Sequence, residues 1–266
     1  MKPMLKSLFG KKKENDADIP ESWAIYFSRI EDKPASIRLN LALNDIAPVK
    51  DYRCLIVFTV NMCAPSENGF PTREEFETLN NIEDETAAAI EGKEAIIAAV
   101  VKSNGLFDTY IYVRSAKGYE ELLSKVMKAH PEYSFTTEVT EDNDWKTYFD
   151  FLYPNDYEMQ TIQNQKVIAN LQQHGDNSEK EREVDHWLYF PAEDNREQFI
   201  RKVEAMGYKV LSKTISEGNK DYPYQLNISR QDNTEWSNVN EYVWELVTLA
   251  GDNGGIYDGW GCIIVK

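Results

Sequence analysis

Two short stretches concentrate the side chains that could do chemistry. One is Asp185-His186-Trp187 with Tyr189 close behind, and the other is Tyr257-Asp258-Gly259-Trp260-Gly261. A histidine near carboxylates suggests a general base, with His186 oriented by Asp185 or Asp258 in an enzyme or small-molecule site. Adjacent residues of a strand face opposite ways, so Asp185 cannot easily hold His186. No nucleophile or metal set accompanies them. Recognition is the chemistry the residue types favour. Aromatics at the centre of a patch dominate binding energy, and acids at its rim steer a basic partner. Two alternatives stay open: the tryptophans simply cover the sheet, or the aromatics stack RNA bases. The RNA reading lacks a lysine- and arginine-rich strand.

Other clusters offer less. Glu74, Glu75, Glu77, Glu83, Asp84 and Glu85 crowd one helical stretch, where acids in the first turn favour the helix dipole and the rest form a solvated face. Asn61, Cys63 and Asn68 gather at the end of a central strand. No P-loop, G-x-G-x-x-G or G-x-S-x-G occurs. With 3 cysteines and 3 histidines there is neither a disulfide framework nor a zinc spacing, so no metal or cofactor is expected. Free thiols suit a reducing, cytoplasmic compartment. The net charge of −16 keeps the chain soluble and opposes a nucleic-acid partner, leaving a protein with a basic surface as the expected one. No apolar run reaches membrane-spanning length. Composition leaves the oligomeric state open.

The elements that must position these residues fall into two series. Residues 1–18 read as a frayed basic and polar tail, with lysines around Leu5, Leu8 and Phe9. Trp23, Ile25 and Phe27 alternate with their neighbours, and Ile37, Leu39, Leu41 and Leu43 do so after a turn, which predicts a hairpin. Cys54–Val60 reads as a central strand. Thr72 with Glu75 predicts a capping box opening a helix to Glu91. Strands follow over 94–102 and 107–114 around Asn104-Gly105, then a helix over 118–130 and strands over 133–139 and 145–152. From Cys54 onward this is the βαββαβ order, and Pro154 punctuates its end.

The second series opens with a helix over 157–174, whose apolar stripe is Ile162, Gln165, Val167, Ile168 and Leu171. A strand over 183–190 should turn Val184, His186, Leu188 and Phe190 inward and Asp185, Trp187 and Tyr189 outward. That makes His186 a buried, hydrogen-bonded histidine. A helix over 193–206, strands over 208–216 and 222–230, a helix over 234–250 and a closing strand complete a second βαββαβ. Its first and last strands are neighbours, which brings the two stretches together. The expected fold is α+β: two ferredoxin-like antiparallel-sheet sandwiches in tandem, over 19–154 and 155–266, the first extended by a hairpin.

Gly175-Asp176, Arg182 through Phe190 and Tyr257-Asp258-Gly259-Trp260-Gly261 together resemble the RraB family, the regulators of ribonuclease E activity, over Ile162 to Lys266. The resemblance implies a non-enzymatic protein with a ferredoxin-like fold that binds another protein. On the residue types and the inferred topology, Asp185, Trp187, Tyr189, Tyr257, Asp258 and Trp260 are the expected binding residues. Arg182, Asp176 and His186 would be buried polar supports. Glu21-Ser22-Trp23, Asn68-Gly69-Phe70-Pro71, Trp145 and Tyr148 through Pro154 resemble the bacterial domain of unknown function 695, over Ile19 to Pro154. That second resemblance implies architecture but no activity.

Overall fold

The structure, a computed structural model, describes residues 19–216 and 218–266. The predicted tail over 1–18 and Glu217 of the second hairpin turn lie outside the described residues. The chain divides into two compact units, Met1–Pro154 and Asn155–Lys266.

In the first unit, strands β1 (Trp23–Ile30), β2 (Lys33–Asn40) and β3 (Cys54–Asn61) precede helix α1 (Arg73–Ile90). Strands β4 (Ala95–Ser103) and β5 (Leu106–Val113), helix α2 (Tyr119–Met127) and strand β6 (Phe135–Glu141) follow. The antiparallel sheet runs β1-β2-β4-β5-β3-β6. Its β4-β5-β3-β6 portion is the ferredoxin-like order, and the hairpin β1-β2 extends it beside β4. Leu79 and Ile82 of α1, with Leu123 and Met127 of α2, bury against Ile56, Phe58, Val100 and Ile111 on one face of the sheet. Asn104 and Gly105 both take positive φ in the β4–β5 turn, as a two-residue hairpin with the right twist requires. Gly69 packs on that turn so closely that an added Cβ would lie 2.7 Å from Asn104 Cα. Its carbonyl accepts a hydrogen bond from Gly105 N at 2.9 Å, so a side chain there would prise the loop off the hairpin.

Three expectations need correction in this unit. The stretch 145–152 is not a strand: it turns as a π-helix over Thr147–Leu152. Asp142 caps that turn by accepting from Lys146 N at 2.7 Å and Thr147 N at 2.9 Å. The buried residues Trp145, Tyr148 and Leu152 are spaced three and four apart, a helical period. Trp145 stacks on Tyr112 at 3.7 Å, and the Tyr112 hydroxyl donates to Asp142 at 2.8 Å, so cap and stack support each other. The hairpin's second strand stops at Asn40, because Asn40 Oδ1 accepts from Ala42 N and opens a 3₁₀ turn over Leu41–Asp45. The capping box is half made. Thr72 accepts from Glu75 N, but the Glu75 carboxylate reaches the backbone of Cys63 and Ala64 instead of the helix start.

The second unit begins with α3 (Asp156–Gln173), then β7 (Arg182–Phe190), α4 (Glu193–Ala205), β8 (Lys209–Ile215), β9 (Tyr224–Asp232), α5 (Trp236–Asp252) and β10 (Ile256–Cys262). The sheet order is β10-β7-β9-β8, all antiparallel. This again is the ferredoxin-like arrangement, so the chain holds two such sandwiches. Asn155 and Glu158 make a complete capping box at the start of α3. Phe199, Ile200 and Val203 of α4 and Leu246 and Ala250 of α5 pack on Leu188, Phe190, Leu226 and Ile228. Ile168 and Leu171 of α3 join Val184, Val239, Val243 and Trp260 in an adjoining cluster. All described helices of the unit therefore cover the face that carries Val184, His186, Leu188 and Phe190. Among the described residues, no helix is long and apolar enough to cross a membrane.

Candidate functional site

Strand β7 positions most of the chosen residues, and it alternates cleanly. Val184, His186, Leu188 and Phe190 are buried, while Trp187 is 37% exposed. Asp185 and Tyr189 share the outer face with Trp187 and are half-buried. Strand β10 does not alternate cleanly. Its register against β7 shifts between Tyr257 and Gly259, so that Tyr257 opposes Leu188 and Trp260 opposes His186. Asp258 is the extra residue of this bulge, and it sends both Tyr257 and Trp260 to the inner face.

The six residues expected to bind together are therefore split. Trp260 is only 7% exposed, and its indole N–H donates to Asn164 Oδ1 at 3.0 Å within the α3–α5 cluster. It is a core side chain and shares no open face with Trp187, contrary to the single patch expected. The bulge is the physical reason, since strict alternation would have put Asp258 and Trp260 on one face. Tyr257 is also turned inward, where burial pushes its phenol well above the usual range. Asp258 is exposed at the sheet edge. Trp187, Tyr189 and Asp185 alone remain together on the outer face.

Apart from Ile256, which pairs with Tyr189 and is exposed, that outer face is largely polar. The Trp187 indole lies across Gly261, whose added Cβ would sit 3.6 Å from it, and Gly259 opposite leaves open space. The two glycines of the signature thus clear the floor beside the tryptophan. Tyr189 Oη accepts from Gln225 at 2.8 Å, and Gln225 in turn accepts from Thr214 Oγ1 at 2.8 Å, a ladder running from β7 to β8. Glu183 accepts from Ser229 Oγ at 2.7 Å. That bond, ahead of other contacts, holds its carboxyl below the usual range. Burial, then Glu183, raises Asp185.

The inner face holds the polar supports. His186 is completely buried, joined by a 2.7 Å hydrogen bond to Tyr257 Oη, with the rings of Tyr208 and Tyr242 edge-on to it. Burial above all, then the nearby Arg230 guanidinium, pushes its pKa down to about 3. The pairing of His186 with Asp185 or Asp258 that a general base would need is not made; the imidazole bonds to Tyr257 instead. Arg182 and Asp176 form a buried ion pair. Asp176 also accepts from Val265 N at 2.8 Å and Thr234 Oγ1 at 3.1 Å. Burial alone would raise its carboxyl, but these donors outweigh burial and hold it below the usual range. No group of three or more His, Cys, Asp or Glu among the described residues is placed to hold a metal ion.

Sequence reasoning passed over Asn164, which is buried and bonds both Trp260 and Asn240. Its signal was available: Asn164 precedes Ile168 by four and Leu171 by seven, so it lies on the buried face of α3. Gln165, placed on that stripe, is instead exposed. Tyr208, Tyr242 and Arg230 also went unnamed, and they enclose His186, with Arg230 lying 4.3 Å over the Tyr208 ring.

The fold and this site define a tandem of ferredoxin-like sandwiches in which the second sheet keeps one tryptophan open over a polar face. The chain belongs to the DUF695 family, a family of unknown function, whose model matches residues 21–153, half of the 266 residues. Its second unit matches the RraB model, described as regulator of ribonuclease activity B, over residues 161–262. Both resemblances read from the sequence are thereby established, in the same order. Among curated proteins none matches the chain. Two solved structures are similar at low level. One is an unknown protein from Galdieria sulphuraria, at 9% identity and TM-score 0.21, covering 80% of this chain and 99% of that one. The other is a putative glycine cleavage system transcriptional repressor, at 12% identity and TM-score 0.20, covering 79% and 98%. At such TM-scores neither likeness bears on function.

Proposed function

We propose that this chain is a non-enzymatic regulator that binds another protein through the outer sheet face of its second unit, with Trp187 as anchor. The RraB match supports a regulatory role, and a ribonuclease or RNA-degrading assembly is the target that match suggests. The observation that carries the reading is the contrast between the two signature tryptophans: Trp260 is used by the core, whereas Trp187 stands open with glycines beside it. A large aromatic at 37% exposure over a cleared floor is the kind of residue that dominates a protein interface. Asp185 and Glu183 beside it would favour a basic target surface.

The two tryptophans separate binding from folding. Trp187→Ala should change stability by less than about 1 kcal/mol and weaken capture of the target by at least about tenfold. Trp260→Ala should cost about 3–5 kcal/mol, through the cavity it leaves and the lost hydrogen bond to Asn164. The full chain is immobilised, the proteins it retains are identified, and their affinity is measured for wild type and Trp187→Ala. Equal affinity would remove the outer face as the docking surface. Retention of single-stranded RNA by the wild type, lost in Trp187→Ala, would transfer the face to nucleic acid.

A further inference from the structure

Among the described residues, the two sheets end in four edge strands, β1 and β6 in one and β10 and β8 in the other. An exposed edge offers unpaired N–H and C=O groups to another chain, so edges are normally protected by charge, bulge or proline. Three of these four are protected. Strand β6 carries Glu138 and Glu141. Strand β8 carries Lys209 and Lys213 and is bulged between Val210 and Ser212. Strand β10 is bulged at Asp258 and carries two glycines.

Strand β1 has no bulge, no proline and, before Arg29, no charge. It pairs with β2 over eight residues without a register shift. Trp23, Ile25 and Phe27 project from one face at 37%, 44% and 61% exposure, while Ala24 and Tyr26 on the other face are buried. Ser22 O accepts from Leu41 N, which sets the ladder's phase. Antiparallel strands bond through alternate residues, so Ala24, Tyr26 and Ser28 face β2, and the backbones of Trp23, Ile25 and Phe27 face outward. The residues with outward backbone groups are therefore the residues with exposed apolar side chains.

We propose that β1 pairs antiparallel with β1 of a second copy of this chain, joining the two first-unit sheets edge to edge. The strand is self-complementary in one register. With Ile25 opposite Ile25 of the copy, Trp23 meets Phe27 and Phe27 meets Trp23, on the same face. In that register Glu21, just before the strand, meets Arg29, so opposite charges close each end of the apolar stripe. A two-fold pairing requires this reciprocity. Shifting the register by two residues in either direction loses both the aromatic pairs and the charge pairs. This inference concerns the first unit and is independent of the docking face assigned to the second.

Sedimentation velocity on the full chain should show a dimer on the order of 10 μM, in the range of weak, transient interfaces. Ile25→Lys places two ammonium groups on the two-fold axis, and at an exposed position it leaves the fold intact; it should give monomer throughout. Register is read separately with Ile25→Cys in a Cys63→Ser background. Directly opposed, hydrogen-bonded residues lie about 5.5 Å apart at Cα, within disulfide reach, so oxidation should yield covalent dimer. Phe27→Cys in the same background, displaced from the axis, should yield little. A wild type that stays monomeric at about tenfold higher concentration overturns the proposal, as does a dimer that Ile25→Lys leaves unchanged. Equal cross-linking of the Ile25→Cys and Phe27→Cys variants would overturn the register and with it the pairing.

Discussion

Asp176→Ala should cost about 3–5 kcal/mol and largely unfold the second unit, because it strands a buried guanidinium. Arg182 and Asp176 are both nearly solvent-free, and the Asp176 carboxylate collects donors from three separate places. Arg182 Nη1 comes from the start of β7, Val265 N from the segment after β10, and Thr234 Oγ1 from the connection into α5. Arg182 directs its remaining donors to the carbonyls of Asn177 and Lys180. The pair therefore ties the start of β7, the end of β10 and the entry to α5 together. Asp176→Asn keeps the shape and some hydrogen bonds but removes the charge, and should cost less, about 2–3 kcal/mol. Hydrogen exchange at β7 and β9 amides reads the second unit without interference from the first. Exchange rates equal to wild type in Asp176→Ala would show that the pair carries no weight.

That network was legible only as a list of names. Asp176 and Arg182 stood out as signature residues, but nothing in their spacing places Val265 or Thr234 beside them, since those contacts are made by chain closure. The β7 strand was the easiest to read. Its alternation is strict because one face is covered by helices throughout, and a single-residue slip would bury Asp185 and Trp187. Strand β10 could not be read the same way. A bulge adds one residue and leaves no mark of its own in composition, so the inward turn of Trp260 appeared only when Asp258 was seen to stand out of register. Trp145–Leu152 failed for another reason. A short apolar and aromatic run fits a period of two or of three to four equally well, and the Asp142 cap that decides between them lies three residues upstream of Trp145. The split βαββαβ orders are legible despite this, since they depend on element sequence and on strong turns such as Asn104-Gly105.

His186 gives the second large effect, and it is a pH effect. The folded imidazole has a pKa of about 3 because it is buried among Tyr257, Tyr208 and Tyr242 and faces the positive field of Arg230. The Asp232 carboxylate is already engaged by Arg230 at 2.8 Å. In the unfolded chain the same group titrates near 6.5. Between about pH 6.5 and 3 the unfolded state therefore binds a proton that the folded state refuses. Stability is fully present above that window and is lost as pH falls through it. The whole interval is worth roughly 3–5 kcal/mol at about 1.4 kcal/mol per pH unit, a large part of the stability of an ordinary domain. His186→Asn removes the titration while keeping a polar atom for Tyr257. At pH 7 it should be less stable than wild type, because the aromatic contacts are lost. As pH drops toward 4 the difference should shrink, since only the wild type must keep an imidazole neutral against a rising proton concentration. Urea unfolding of the second unit, followed by exchange at β7 across that range, measures the two slopes. Parallel curves would mean that His186 is hydrated or charged in the native protein, and the closed aromatic cage around it would have to be abandoned.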